Sequence, residues 1–260
     1  MAVLCELNSK GGATVAHPQQ NLMLEALPAE YRESLISRME PVSFAIDTVL
    51  YKPGEVPQYA HFMTSGVTSI VTFMADGSGT EVGLIGREGL VEAFHLLGPA
   101  RIQTTGFVQL AGTALRMPFA DLQREFLGSE VVRSLILQAV QAQGLILNQL
   151  AACNRLHEVE ERLARWLLMV QDRVESEKFF LTQEFLAEML SARRTTVTLA
   201  AGSLQRSGLI EYRRGNIHIV DHEGLEGAAC ECYPIVRDLV ANLYKEQSPR
   251  PEALFADQPI

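Results

Sequence analysis

The chain has 260 residues, 47% hydrophobic and 20% charged, with 31 acidic against 22 Lys and Arg side chains and a formal net charge of -9. That is length enough for two domains with a core each, and the apolar fraction excludes overall disorder. The acidic balance excludes blanket coating of nucleic acid and leaves binding through a local basic patch.

Residues 1–20 carry Gly11-Gly12 and His17-Pro18 without periodicity and read as a mobile arm. Asn21 to Leu27 and Pro28 to Met39 read as two short helices, the second with Tyr31, Leu35 and Ile36 as its buried stripe. The longest apolar region, Val131 to Ala152, is interrupted by Arg133 and several Gln, and no apolar run follows a basic start. Neither a signal peptide nor a membrane span is expected, so the reading is a cytoplasmic protein with no membrane partner.

From Val42 to Met117 the texture is short β-like runs: Phe44 to Ile46, Thr48 to Tyr51, His61 to Met63, Val67 to Met74, Thr80 to Ile85, Gln103 to Leu110 and Thr113 to Met117. Turn residues such as Ser65-Gly66, Asp76-Gly77-Ser78-Gly79 and Ala111-Gly112 separate them. Strands this short and evenly spaced argue for a small β-roll or barrel. After a short helix near Phe119 to Phe126, a long helix is expected from about Ser129 to Ala152. Leu135, Ala139, Ala142, Ile146, Gln149 and Cys153 recur on it at alternating four- and three-residue steps, an a/d seam that needs a partner: the chain's own roll or another helix. Cys153 to His157 reads as a hinge, and Val159 to Val174 as an amphipathic helix burying Leu163, Trp166, Leu167 and Val170.

The stretch Leu181 to Val220 carries the readable chemistry. Thr182 is placed to cap a helix bearing Leu186, Met189 and Leu190. Ser191-Ala192 breaks that pattern, and a second helix from about Arg193 to Gln205 buries Val197, Ala200 and Leu204 while Arg194, Thr195, Thr198 and Gly202 face outward. Leu209 to Tyr212 and Ile217 to Val220 flank Arg213-Arg214-Gly215-Asn216 as a hairpin with a basic tip. Between Arg193 and Arg214 five arginines, Arg193, Arg194, Arg206, Arg213 and Arg214, stand against a single acid, Glu211. A helix-turn-helix with a basic wing points to double-stranded DNA. A last helix is expected from about Glu223 to Lys245, broken near Pro234, followed by a Pro-rich tail.

Leu181-Thr182-Gln183-Glu184, Arg193-Arg194-Thr195-Thr196-Val197 and the wing resemble the helix-turn-helix of the Crp-Fnr superfamily of bacterial transcription regulators, and the resemblance extends over nearly the whole chain after about residue 20. Ser191 stands where many members have Gly. The resemblance implies an α+β fold: an arm (1–20), a cyclic-nucleotide-binding-like β-roll (21–128), a dimerisation helix (129–153), a winged helix-turn-helix (154–246) and a tail (247–260). It implies a homodimer with Leu135, Ala139, Ala142, Ile146 and Gln149 at the two-fold interface, an inverted-repeat operator, and RNA polymerase as a partner. Arg194 matches the family's base-contacting arginine, with Thr195 and Thr198 beside it, while Thr182, Gln183, Arg193, Thr196, Arg213 and Arg214 sit where phosphates pass. The family's phosphate cassette is degenerate here. Glu92 stands in for the ribose acid, the Gly-Glu pair is missing and Arg101 comes too early, so cyclic AMP is not expected; another effector would use Glu92, Arg101, Thr104 and Thr105.

Cys5, Cys153, Cys230 and Cys232 are too scattered for a disulfide framework, and Cys230-Glu231-Cys232 has no matching second pair, so no metal centre is expected and redox sensing is left open. Two other readings are a roll metalloenzyme, for which only His61 and His95 are on hand, and a ligand-sensing adaptor that does not bind DNA. No catalytic residues are assigned, and the reading is not an enzyme.

Overall fold

Turn glycines decide how the short strands close. In the computed structural model, which describes residues 20–98 and 100–245, the strands are β1 Glu40–Phe44, β2 Val49–Tyr51, β3 Tyr59–Met63, β4 Val67–Phe73, β5 Gly79–Ile85, β6 Thr105–Leu110 and β7 Gly112–Pro118. They pair antiparallel as two sheets, β1-β7-β3 and β2-β6-β4-β5. A Cβ on Gly112 would lie 2.2 Å from the Ser65 carbonyl oxygen, and one on Gly66, at φ +74, 2.6 Å from that of Leu110, so the two turns cross only because both lack side chains. Strand β1 begins earlier than expected because Pro41 and Val42 pair with Leu115 and Ala114 of β7. Asn21 caps α1 (Leu22–Glu25) and donates to the carbonyls of Met63 and Gly89 at 3.0 and 2.8 Å, pinning the helix to the roll. On α2 (Ala29–Ile36) Tyr31 is exposed, so the expected stripe reduces to Leu35 and a half-buried Ile36. The arm before residue 20, Cys5, Pro99 and the tail from 247 lie outside the described residues.

Past α3 (Phe119–Gly128), Ser129 caps α4 (Glu130–Leu156). The expected dimer seam lies inside the chain. Leu135 and Ala139 pack with Leu24, Phe62 and Leu122 on the roll, and Ile146 joins a core shared with the C-terminal half. Ala142 is buried too, and Gln149 is half-buried, its Nε2 donating to Cys232 Sγ. The reason is local: the roll leaves an apolar floor that α4 covers, and an apolar stripe takes the nearest such surface. The helix continues through Leu156, so the expected hinge narrows to His157 and Glu158, both extended.

α5 (Val159–Val174) opens with a capping box between Glu158 and Glu161. There follow β8 (Lys178–Phe180), α6 (Gln183–Met189), α7 (Arg194–Arg206), β9 (Ile210–Arg213), β10 (Asn216–Ile219), α8 (His222–Ala228) and α9 (Cys232–Ala241). Strand β8 was not expected; it completes a sheet of order β8-β10-β9. The single last helix expected is two, with Pro234 in the first turn of α9, where its missing N–H costs nothing. No helix among the described residues is long and apolar enough to cross a membrane.

One core joins roll and C-terminal domain: Val67, Val71 and Leu110 pack with Ile146, Trp166 and Leu186. Trp166 Nε1 donates to Glu81 Oε1 at 2.7 Å, and Ser69 donates to the other carboxylate oxygen at 2.7 Å. Burial raises the Glu81 carboxyl from 4.5 to about 7, against the lowering effect of those two hydrogen bonds. A raised carboxyl favours the protonated fold, so this stability is complete below about pH 4.5 and declines as pH rises through 7, by about 3 kcal/mol in all. Glu81→Gln is expected to flatten the pH dependence of urea midpoints across that window; parallel curves for variant and wild type would refute the assignment.

Candidate nucleic-acid interface

The Thr182 hydroxyl accepts from the Phe185 N–H at 3.2 Å, starting α6 as expected. Ser191 then turns the chain in the left-handed region, at φ 47, a conformation glycine adopts more readily. Its hydroxyl hydrogen-bonds that of Thr80 on β5, a contact glycine cannot make and one that ties the turn to the roll. Arg193 is the N-cap residue of α7, and Val197, Ala200, Ala201 and Leu204 form its buried side. Arg193, Arg194, Thr195, Thr196 and Thr198 are exposed, and so is Leu199, at 71%. Thr198 Oγ1 lies 2.8 Å from Gln183 Oε1 and 2.9 Å from the Arg194 carbonyl oxygen, so Thr198 and half-buried Gln183 brace the two helices against each other.

The wing is a two-residue hairpin. Arg214 and Gly215, at φ 52 and 86, are both left-handed, which suits the twist of the strands they join. A Cβ on Gly215 would fall 2.5 Å from the Phe180 ring, so β8 imposes glycine there a second time. Arg213 and Arg214 are exposed at this tip, and Arg206 ends α7 in the open. Tyr212 donates to the Leu181 carbonyl at 2.7 Å, fixing the wing to the start of α6; burial pushes its hydroxyl to about 12, with nearby Arg194 pulling the other way. Thr182, Gln183, Arg193 to Thr196, Thr198, Arg213 and Arg214 thus lie on the two helices and wing of one domain, and the patch is cationic on an acidic protein.

A second feature, a cavity of about 270 Å³, lies between roll and α4. Tyr51, Ile85, Val91, Phe94, Ile102 and Ile146 make it mostly apolar, with Arg101, Thr104 and Gln143 as its polar edge. Tyr51 donates to or accepts from Thr104 Oγ1 at 3.1 Å, and burial raises its phenol to about 12. Of the four expected effector residues, Arg101 and Thr104 line the cavity, while Glu92 and Thr105 do not. Glu92 is fully buried and turned inward, accepting from the His61 backbone N–H at 2.8 Å and paired with His61 Nδ1 at 2.7 Å. The acid that would hold a ribose is therefore occupied, and the neighbouring 3₁₀ helix, Ala93–Leu96, is one turn long. These residues do not fit a cyclic nucleotide. The pocket's helix side, Gln143, Ile146 and Leu147, escaped the sequence reading because Ile146 had been placed in the dimer seam. His61 and His95 have separate surroundings, His95 against Tyr51, and among the described residues the roll gathers no three metal-binding side chains.

A roll, a long helix and an exposed winged helix-turn-helix share one core in this chain. Residues 161–228 match the Crp-like helix-turn-helix domain, and the chain has the fold of the Crp/Fnr-type transcription regulators. The c-di-GMP responsive global regulator CLP of Xanthomonas campestris superimposes with a TM-score of 0.61 at 18% identity, covering 74% of this chain and 99% of that one. FixK2 of Bradyrhizobium japonicum gives 0.63 at 14%, covering 74% and 98%. A Crp-family regulator of Thermus thermophilus gives 0.60 at 20%, covering 74% and 99%. None of the curated proteins matches the chain in sequence.

Proposed function

We propose that the chain is a homodimeric, sequence-specific DNA-binding regulator of the cytoplasm that works with RNA polymerase and whose roll takes a small, largely apolar effector bearing one acidic group. The observation that carries the reading is the exposed face of α7 with its arginines and wing, on a protein of net charge -9. Arg194 begins that face, and its planar fork suits O6 and N7 of guanine. Thr195 and exposed Leu199 offer methyl groups to thymine. Arg193, Thr196, Arg213 and Arg214 follow phosphates, and Thr182 and Gln183 sit at the helix start where another strand would pass.

The partner copy meets the other side of α4. Leu137, Gln141, Gly144, Asn148 and Ala151 repeat at four- and three-residue steps, two residues out of phase with the buried seam and so roughly 200° around the helix. Leu137 is 44% exposed, and a Cβ on Gly144 would meet nothing, so a second helix has room to approach. Two-fold pairing sets two recognition helices on an inverted repeat with half-site centres roughly 10 base pairs apart, or a multiple of that. The pocket supports the effector reading, since Gln143, Ile146 and Leu147 carry its occupancy to this helix.

Arg194→Ala is expected to cost about 1 to 3 kcal/mol on the natural site and to relax preference at one base pair per half-site. Arg213→Ala is expected to weaken all sequences alike and lower the salt slope by about one. Titrations against the natural site and single-base variants at several salt concentrations check both. Full discrimination by Arg194→Ala would remove α7 as the reading face.

A further inference from the structure

Four side chains that the sequence scatters meet behind the reading domain. Cys153 lies in the last turn of α4, His157 ends that helix one turn on, Cys230 lies between α8 and α9, and Cys232 opens α9. Their three Sγ atoms and one ring nitrogen all lie within 4.8 Å of one another. This corrects the expectation that Cys230-Glu231-Cys232 lacks a second pair: Cys153 and His157, on one helical face, supply it. We propose that these residues bind one zinc ion as a tetrahedral Cys3His site.

The geometry is the first support. An ion with Zn–S bonds of about 2.3 Å and a Zn–N bond of about 2.0 Å sets its ligand atoms roughly 3.5 to 3.8 Å apart. Here Cys153 Sγ is 3.5 Å from Cys230 Sγ and 3.5 Å from His157 Nδ1, and Cys232 Sγ is 3.6 Å from the same nitrogen. Four ligand atoms this close surround a single ion; a cluster would spread its thiolates over several irons. Thiolate and imidazole in tetrahedral array select zinc over magnesium or calcium.

The surroundings are the second support. His157 Nε2 lies 3.1 Å from Glu231 Oε1, the carboxylate partner that fixes which nitrogen of a metal-bound imidazole faces the ion. Gln149 Nε2 lies 3.1 Å from Cys232 Sγ and donates to it. Three thiolates and one divalent ion leave one net negative charge. Beside them Arg162 and Arg165 are 5% and 3% exposed, and among the described residues neither is salt-bridged and neither Nε has a hydrogen-bond partner. Both guanidiniums act electrostatically on the cysteines, and with no ion pair in contact and only Glu81 at longer range from Arg165, they suit an anionic centre nearby. Cys153, Cys230 and Cys232 are all buried, so the ion is screened from solvent and serves structure, joining the end of α4 to α9.

The full chain, purified under reducing conditions without chelator, is expected to hold about one zinc per molecule by elemental mass spectrometry. Exchange with Co(II) is expected to give thiolate-to-cobalt charge transfer and the strong visible bands of a tetrahedral ion. Cys153→Ser, Cys230→Ser and Cys232→Ser are each expected to weaken zinc retention against a competing chelator more than tenfold. His157→Cys is expected to keep a tetrahedral site with an altered cobalt spectrum. If a cysteine variant fails to fold, uptake of Co(II) by chelator-stripped wild type carries the test. Reduced wild type that takes up neither zinc nor cobalt would overturn the proposal, as would an iron-sulfur spectrum or a Cys153–Cys230 disulfide in the isolated protein.

Discussion

Leu135→Asp is expected to unfold the chain, whereas Leu137→Asp is expected to leave it folded and monomeric. The two positions are neighbours on α4 but face opposite ways. Leu135 is buried among Leu24, Phe62, Leu122 and Ile136. A carboxylate there, among apolar side chains, must either ionise in an apolar interior or bind a proton, at a cost of several kcal/mol. A domain whose whole stability is about 5 to 15 kcal/mol does not carry that loss well. Leu137 is half in solvent within one chain, so its replacement disturbs only the contact proposed for a second copy. Circular dichroism and sedimentation equilibrium on both variants decide the matter. A folded monomer from Leu135→Asp would return the buried seam to the dimer, and an intact dimer from Leu137→Asp would remove the outer face.

Arg173→Ala is expected to destabilise the chain by about 3 to 5 kcal/mol, more than any exposed arginine would. Arg173 Nε donates to Glu88 Oε1 at 2.8 Å and its NH1 to the Met169 carbonyl at 2.9 Å, with both side chains less than a tenth exposed. Glu88 Oε2 also takes the Gly86 N–H at 3.1 Å. Removing the guanidinium strands a carboxylate between roll and α5, where water does not replace the lost partner. The double variant Arg173→Met with Glu88→Gln is expected to recover most of the loss, since it leaves no charge behind. Urea unfolding of the three proteins measures both terms; a single-variant loss below about 1 kcal/mol would show that the pair is solvated.

The reading domain was legible because its signals are local. Thr182, the break at Ser191, the buried set Val197, Ala200 and Leu204, and the tip Arg214-Gly215 all fall in one continuous stretch. The roll was legible for its turn spacing, although β1 depends on pairing with β7 and so began earlier than its own residues suggested. The α4 seam was seen with two partners open, the roll or another helix, because a repeat of three and four states that a face is buried and not by what. Glu92 illustrates the same limit: an acid after Gly89 resembles a ligand group until His61, 31 residues away, is known to hold it. The thiol cluster was out of reach for a related reason, since Cys153 and Cys230 are 77 residues apart and only the packing of α9 on α4 joins them.

Trp166 reaches from α5 into the roll to Glu81, and Val67, Val71 and Leu110 answer it from the other side. The consequence is evolutionary as much as structural. Domain shuffling works where the join is a linker, and here the join is a hydrophobic interior with a hydrogen bond at its centre. A chimera of this roll with another protein's winged helix-turn-helix would inherit half a core, so the two halves are free to diversify only in step.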